Sequence, residues 1–106
     1  MRESDIEKYL LKRVWELGGE VRKVKWIGRA GAPDRFVMLP EIRTNGPAGV
    51  IVATGFWVEL KAPGKAATFP ADAHERAQRR EHERLRKFHQ RVEVVDSFER
   101  VEEVLK

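Results

Sequence analysis

Glu59 and Lys61 stand two positions apart in the run Gly55-Phe56-Trp57-Val58-Glu59-Leu60-Lys61. The run reads as a strand, because it is rich in aromatic and branched residues and is bounded by Gly55 and Pro63. Side chains alternate across a strand, so Glu59, Lys61 and Trp57 share one face, with the acid and the base about 7 Å apart along it. Phe56, Val58 and Leu60 point the other way, into a core. A second acid, Asp34, lies upstream in Gly31-Ala32-Pro33-Asp34. Hard oxygen ligands such as Asp34 and Glu59 suit Mg²⁺ or Mn²⁺, which bind through one or two carboxylates and keep several waters. Such an ion polarises a phosphoryl oxygen. Lys61 can orient or deprotonate an attacking water, or stabilise charge developing on phosphorus. The pattern therefore suits metal-assisted phosphodiester hydrolysis. Glu-x-Lys alone is very common and by itself is better read as a solvated strand face with one salt bridge; joined to an upstream Gly-x-Pro-Asp turn it is far more specific.

The composition sets the wider frame. A chain of 106 residues suits one domain spanning positions 1–106, with a modest core. Charged residues make up 36% of it and the formal net charge is +4, which favours a polyanionic partner, nucleic acid first. The absence of cysteine excludes disulfides and thiolate zinc sites. His74, His82 and His89 have no metal-binding spacing. No apolar run approaches a membrane span and no secretory leader is evident, so a cytoplasmic protein without membrane contact is expected.

The elements that must position these groups follow from periodicity. A first helix is predicted from about Ser4 to Leu17, with Ile6, Leu10, Val14 and Leu17 at helical spacing and Gly18-Gly19 as its stop. Ser4 with Glu7 has the spacing of a capping box, which makes Glu7 a capping residue or, on the edge of the buried face, a third site acid. Residues 20–27 read as a strand with a basic face, on which Lys23 and Lys25 could meet phosphates. Gly28 to Pro33 is a loop whose two glycines permit positive φ and let backbone N–H groups approach a phosphate; Arg29 and Arg35 flank it. A strand from Arg35 to Leu39 follows. Pro40 to Thr54 is less regular, with Asn45-Gly46-Pro47 as a turn and Val50-Ile51-Val52 as a short strand. Lys65 sits in a flexible loop near the proposed ion. A second helix is predicted over Ala71 to Phe88, with an apolar stripe of Ala77, Leu85 and Phe88, and with i, i+4 pairs Glu75–Arg79 and Glu83–Lys87 on a solvated face. Gln78 and His82 lie on one line with Leu85, although a surface or interface position is the simpler reading of His82. Val92 to Val95 form a last strand, and Ser97 caps a final helix carrying Phe98, Val101, Val104 and Leu105. Short early connections suit antiparallel pairing, and the return through the long helix suits a parallel strand beside the Glu59 strand.

The segments Arg2 to Leu10, Gly28 to Arg35, Val58 to Gly64, Gln78 with Glu83 to Arg86, and Val92 to Ser97 together resemble a stand-alone VRR-NUC domain of the PD-(D/E)xK nuclease superfamily, common in phages and prophages. The resemblance covers nearly the whole chain. It implies an α/β, restriction-endonuclease-like mixed sheet with helices on both faces. It implies a Mg²⁺- or Mn²⁺-dependent DNA endonuclease without an organic cofactor, acting as a homodimer on branched DNA such as four-way junctions, in a bacterial or phage-infected cell. Asp34 and Glu59, with the Leu60 carbonyl, would hold the ion, with Lys61 at the water. Glu7 matches the family's helix-one acid, with Glu3 as its rival, and Gln78 matches its glutamine. Lys23, Lys25, Arg29, Arg35 and Lys65 would contact DNA. Two departures stand out: several extra residues before the Glu59 strand, and His89 where the family often has glycine. A non-catalytic basic DNA-binding module is the alternative. A small RNA-binding protein ranks lower, because the aromatic ribonucleoprotein motifs are missing.

Overall fold

The structure, a computed structural model, describes residues 1–40 and 55–106. The expected turn at Asn45 and strand at Val50 lie outside the described residues. Helix α1 (Glu3–Glu16) comes first. Its start differs from the expectation: Arg2 is the N-cap, and the Asp5 carboxylate accepts the Arg2 backbone N–H at 2.7 Å. Asp5 takes the capping role three residues into the helix, so Glu7 is released from it. At the other end Leu17 is the C-cap, and Gly18 adopts φ +83. The Gly18 and Gly19 N–H groups then donate to the carbonyls of Trp15 and Val14, closing a Schellman turn.

Strands β1 (Glu20–Lys23) and β2 (Arg35–Met38) pair antiparallel, with Val21 opposite Val37. The first strand is shorter than expected, but Val24 N–H still donates to the Asp34 carbonyl at 2.8 Å, so pairing persists past the formal ends. β2 pairs antiparallel with β3 (Gly55–Leu60), and β3 pairs parallel with β4 (Val92–Val95). Among the described residues this gives one sheet in the order β1-β2-β3-β4.

Alternation assigns the two faces. Val37 of β2 and Phe56 and Val58 of β3 point to the side covered by α1 and α3 (Phe98–Val104). With Ile6, Leu10, Val14, Val95, Val101 and Val104 they form a core in which every residue is 2% exposed or less. The expected cap of α3 is present: Ser97 Oγ accepts the Arg100 N–H at 3.0 Å. α1 and α3 are tied further by Glu102, whose Oε1 accepts from Tyr9 Oη at 2.9 Å and Arg13 Nε at 2.6 Å.

The opposite face is charged, and α2 (Ala73–Lys87) reaches it. Here the expectation is corrected. The buried residues of α2 are Gln78 and His82, while Phe88, assigned to an apolar stripe, is 64% exposed. The reason lies beneath the helix: a strand face carrying Glu59 and Lys61 is met by polar side chains, since buried polar groups need partners. The expected surface pairs change too. Glu75 turns to Lys61 (2.8 Å), and Glu83 takes Arg79 (3.0 Å). A one-turn 3₁₀ helix, Lys65–Thr68, stands where a flexible loop was expected, and Asp96 secures it by accepting the Ala66 N–H. Among the described residues no helix is long and apolar enough to cross a membrane.

Candidate active site

Asp34 directly precedes β2. Continuing the β2–β3 register one step beyond the Arg35–Val58 pair sets Asp34 opposite Glu59. Cross-strand neighbours have Cβ atoms roughly 5 Å apart and share a face. Residues 23–35 fold so as to hold Asp34 there. Trp26 donates its indole N–H to the Pro33 carbonyl at 2.7 Å and packs against Trp57, centroids 5.0 Å apart. Gly31, at φ +85, lies so close to α2 that a Cβ would press on the backbone of Ala77 and Gln78. The turn that carries Asp34 is thus docked on the helix that carries Gln78.

Asp34, Glu59, Leu60, Lys61 and Gln78 line one cleft of about 260 Å³, completed by Glu3, Arg35 and His74. Glu7 is not among its lining residues. Its Oε2 instead accepts from Arg35 Nη2 at 2.6 Å, and Arg35 Nη1 lies 2.8 Å from Asp34 Oδ1. That second contact is out of line for a hydrogen bond and leaves Nη1 without an acceptor. Burial works against the Arg35 charge, but its hydrogen bond to Glu7 and the neighbouring Asp34 outweigh it and raise its pKa above the usual guanidinium value. Glu7 therefore acts on the cleft through Arg35, and Glu3 is the helix-one acid that reaches it.

Glu59 and Lys61 are each held from α2. His82, 1% exposed, places Nε2 at 3.1 Å from Glu59 Oε1. An ionised carboxylate only accepts, so Nε2 carries the hydrogen in that bond. Lys61 Nζ donates to Gln78 Oε1 at 2.5 Å and contacts Glu75 Oε2 at 2.8 Å. The bond from Lys61, then one from the Ala71 N–H, hold the Glu75 carboxyl below the usual carboxylate range. Phe69 lies between the two sets: its ring stacks on His82, centroids 5.6 Å apart, with Lys61 Nζ 5.1 Å from its centre. Sequence reasoning missed Phe69 and Glu75 and set His82 on the surface. The i, i+4 spacing of Gln78 and His82 was the available signal for His82.

Two opposed carboxylates, one nearly buried and one at the mouth, suit a hard divalent ion that keeps much of its water shell. Among the described residues no three His, Asp or Glu side chains form a fuller ligand set, so a closed cage of the structural-zinc kind does not fit.

The residues expected to contact DNA divide. Arg29 is bound to Glu81 at 2.5 Å and Arg35 to Glu7, whereas Lys23, Lys25 and Lys65 are exposed. A second groove, of about 540 Å³, is lined by Lys23, Lys25, Trp26, Arg29 and Asp34, among others, and meets the cleft at Asp34.

No family sequence model matches the chain. A solved structure described as a VRR_NUC domain superposes with a TM-score of 0.66 at 37% sequence identity, over 97% of this chain and 92% of that one. A protein of Acyrthosiphon pisum secondary endosymbiont phage 1, named "Putative nuclease p44", is 39% identical over 97 residues, 92% of this chain and 85% of its own length. The chain belongs to the VRR-NUC family. Its mixed sheet with helices on both faces is the restriction-endonuclease-like fold of that family. In VRR-NUC terms the resemblance read from Gly28 to Arg35 and from Val58 to Gly64 falls on the turn that leads into β2 and on the end of β3, which meet at the cleft.

Proposed function

We propose that this VRR-NUC protein is a divalent-metal-dependent DNA endonuclease that cuts branched duplexes, four-way junctions among them, as a homodimer. The observation that carries the reading is the meeting of Asp34 with Glu59 and Lys61, which lie 25 and 27 residues further along the chain, around one polar cleft. Mg²⁺ or Mn²⁺ held by Asp34 and Glu59, with the Leu60 carbonyl, would supply Lewis-acid polarisation of a phosphoryl oxygen.

The chain's own groups do the rest. His82 fixes the rotamer of Glu59, so the carboxylate stands ready without rearrangement. Arg35 holds Asp34 beside the cleft until the phosphate and its counter-ion compete for it. Lys61, kept in place by Gln78 and Glu75, presents a cation where negative charge develops on the phosphoryl group, and it can orient the attacking water. Exposed Lys23, Lys25 and Lys65 hold the backbone on either side. Two symmetric nicks need two such clefts, which a C₂ pair provides. Residues 1–106 act as one domain in this reading, inside the bacterial or phage-infected cell.

A non-catalytic DNA-binding module would use the same surface lysines. It has no use for a carboxylate, an imidazole and an ammonium buried together, an arrangement that costs stability wherever it serves no chemistry. The deciding experiment incubates purified protein with linear, flap and four-way DNA and with each divalent ion in turn, then maps the cuts. Metal-dependent nicking focused on branched substrates is expected, from a species of twice 12.3 kDa in sedimentation. Junction binding without nicking in any ion would overturn the proposal.

A further inference from the structure

The outer side of α2 carries a charge pattern that the cleft does not use. Arg80, Arg84 and Lys87 are spaced i, i+4, i+7 and so share one stripe, turned away from the buried Gln78 and His82. A surface stripe of this kind is ordinarily neutralised by acids one turn away. Here both neighbouring acids are engaged elsewhere: Glu81 by Arg29 at 2.5 Å and Glu83 by Arg79 at 3.0 Å. Among the described residues none of the three cations makes an ion pair or a side-chain hydrogen bond. They line an open groove of about 560 Å³ with Arg29, the exposed ring of Phe88, which Arg84 overlies at 5.9 Å, and the paired carboxylates of Glu81 and Glu83, which leaves the groove with four cations against two acids.

This groove is continuous with the site. Arg29 lines both it and the lysine groove, and Asp34 lines both the lysine groove and the cleft. A cationic path therefore runs from the cleft, past Lys23 and Lys25, over Arg29 to the far side of α2. From Arg80 to Lys87 the stripe covers ~10 Å of helix. At one phosphate per ~3.4 Å of a strand, that length faces about three phosphates.

We infer that the Arg80–Arg84–Lys87 face of α2 is a second DNA-binding surface, and that it holds the backbone of a duplex arm diverging from the arm in the cleft. The stripe is turned away from the cleft wall, so it meets nucleic acid that changes direction at the site. Branched duplex has that property and a straight duplex lacks it. The inference rests on the proposed nuclease reading and adds the residues that would select its substrate.

The test is a binding comparison in Ca²⁺, where bound DNA stays intact, on a four-way junction and on linear duplex of equal arm length. The variant is Arg80→Gln with Arg84→Gln and Lys87→Gln, because glutamine keeps helix propensity and circular dichroism checks the fold. Lys8→Gln with Lys12→Gln, exposed cations on α1, serves as the charge control. The triple variant is expected to bind the junction at least ~10-fold more weakly, with a salt dependence shallower by about 3, while linear binding stays within twofold of wild type. An equal loss on both substrates, a loss on neither, or the same loss from the α1 control overturns the inference. Nicking by the wild-type protein in Mg²⁺ or Mn²⁺ is scored separately. If it nicks branched DNA while the triple variant binds like wild type, this inference alone falls. If it nicks nothing, the nuclease reading falls first.

Discussion

His82 Nε2 lies 3.1 Å from Glu59 Oε1, and both side chains are nearly closed to solvent. A helix residue thereby aims a strand carboxylate at the cleft. Replacing His82 by Leu removes the donor and strands a buried acceptor, a change that costs about 1–3 kcal/mol of stability. It also loosens the carboxylate that would hold the ion, so Mn²⁺ affinity should fall about 10- to 100-fold in a calorimetric or spin-resonance titration. His82→Gln, which restores an N–H donor, should recover part of that affinity. Equal Mn²⁺ affinity in His82→Leu and wild type would show that His82 only fills space.

Lys61 is the cation at the centre of the cleft, and its removal separates chemistry from binding. Lys61→Ala should lower the cleavage rate by at least ~100-fold at saturating DNA, the usual loss when a preorganised charge at the reacting centre is removed. Junction affinity should change little if, as proposed, the exposed lysines and the α2 stripe carry most phosphate contacts. Undiminished metal-dependent cleavage by the purified variant would refute the assignment.

The strand face was readable because its period is two. Gly55 and Pro63 bracket the run, and burial of Phe56, Val58 and Leu60 opposite Glu59 and Lys61 follows from alternation. The Gly28–Asp34 loop was readable from its glycines, which take φ +77 and φ +85. The contents of α2 were not. Apolar periodicity selects Ala77, Leu85 and Phe88, whereas the i, i+4 spacing of Gln78 and His82 marks a polar line; which of the two is buried depends on the charged strand face beneath the helix, which the helix's own pattern does not contain. The pairing of Glu75 was hidden for the same reason. Arg79 is one turn away in sequence, whereas Lys61 arrives only through the crossover from β3 to α2. Glu7 illustrates the remaining limit: Asp5 takes the capping role, and Glu7 pairs with Arg35, a partner 28 residues on that no local pattern points to.

Glu102 sets a pH dependence that is independent of the site. Hydrogen bonds from Arg13 and then Tyr9 hold its carboxyl below the usual range, so its folded pKa lies under its unfolded one. A depressed folded pKa gives stability that is complete above the unfolded value of ~4.3 and is lost as pH falls through the folded value. Thermal melts of wild type and Glu102→Gln should therefore differ at pH 6–7 and converge as the pH is taken progressively below the ordinary carboxylate range. A constant gap across that range would mean the contacts matter only sterically.

His89 follows α2 with φ +63, and the adjoining bonds complete a Schellman turn: Gln90 N–H to the Leu85 carbonyl at 3.1 Å, and His89 N–H to the Arg86 carbonyl at 3.0 Å. The turn expected of a glycine is kept by a residue whose Cβ opposes that conformation, at a cost of roughly 1 kcal/mol. The side chain is exposed, so little packing is lost when it is removed. His89→Gly should stabilise the fold by about 0.5 kcal/mol at most, because the greater unfolded-state entropy of glycine cancels much of the relieved strain. Cleavage and Mn²⁺ binding should be unchanged, because His89 is not among the residues that line the cleft. A lower melting temperature in His89→Gly would show instead that the imidazole makes a stabilising contact in solution that outweighs its backbone strain.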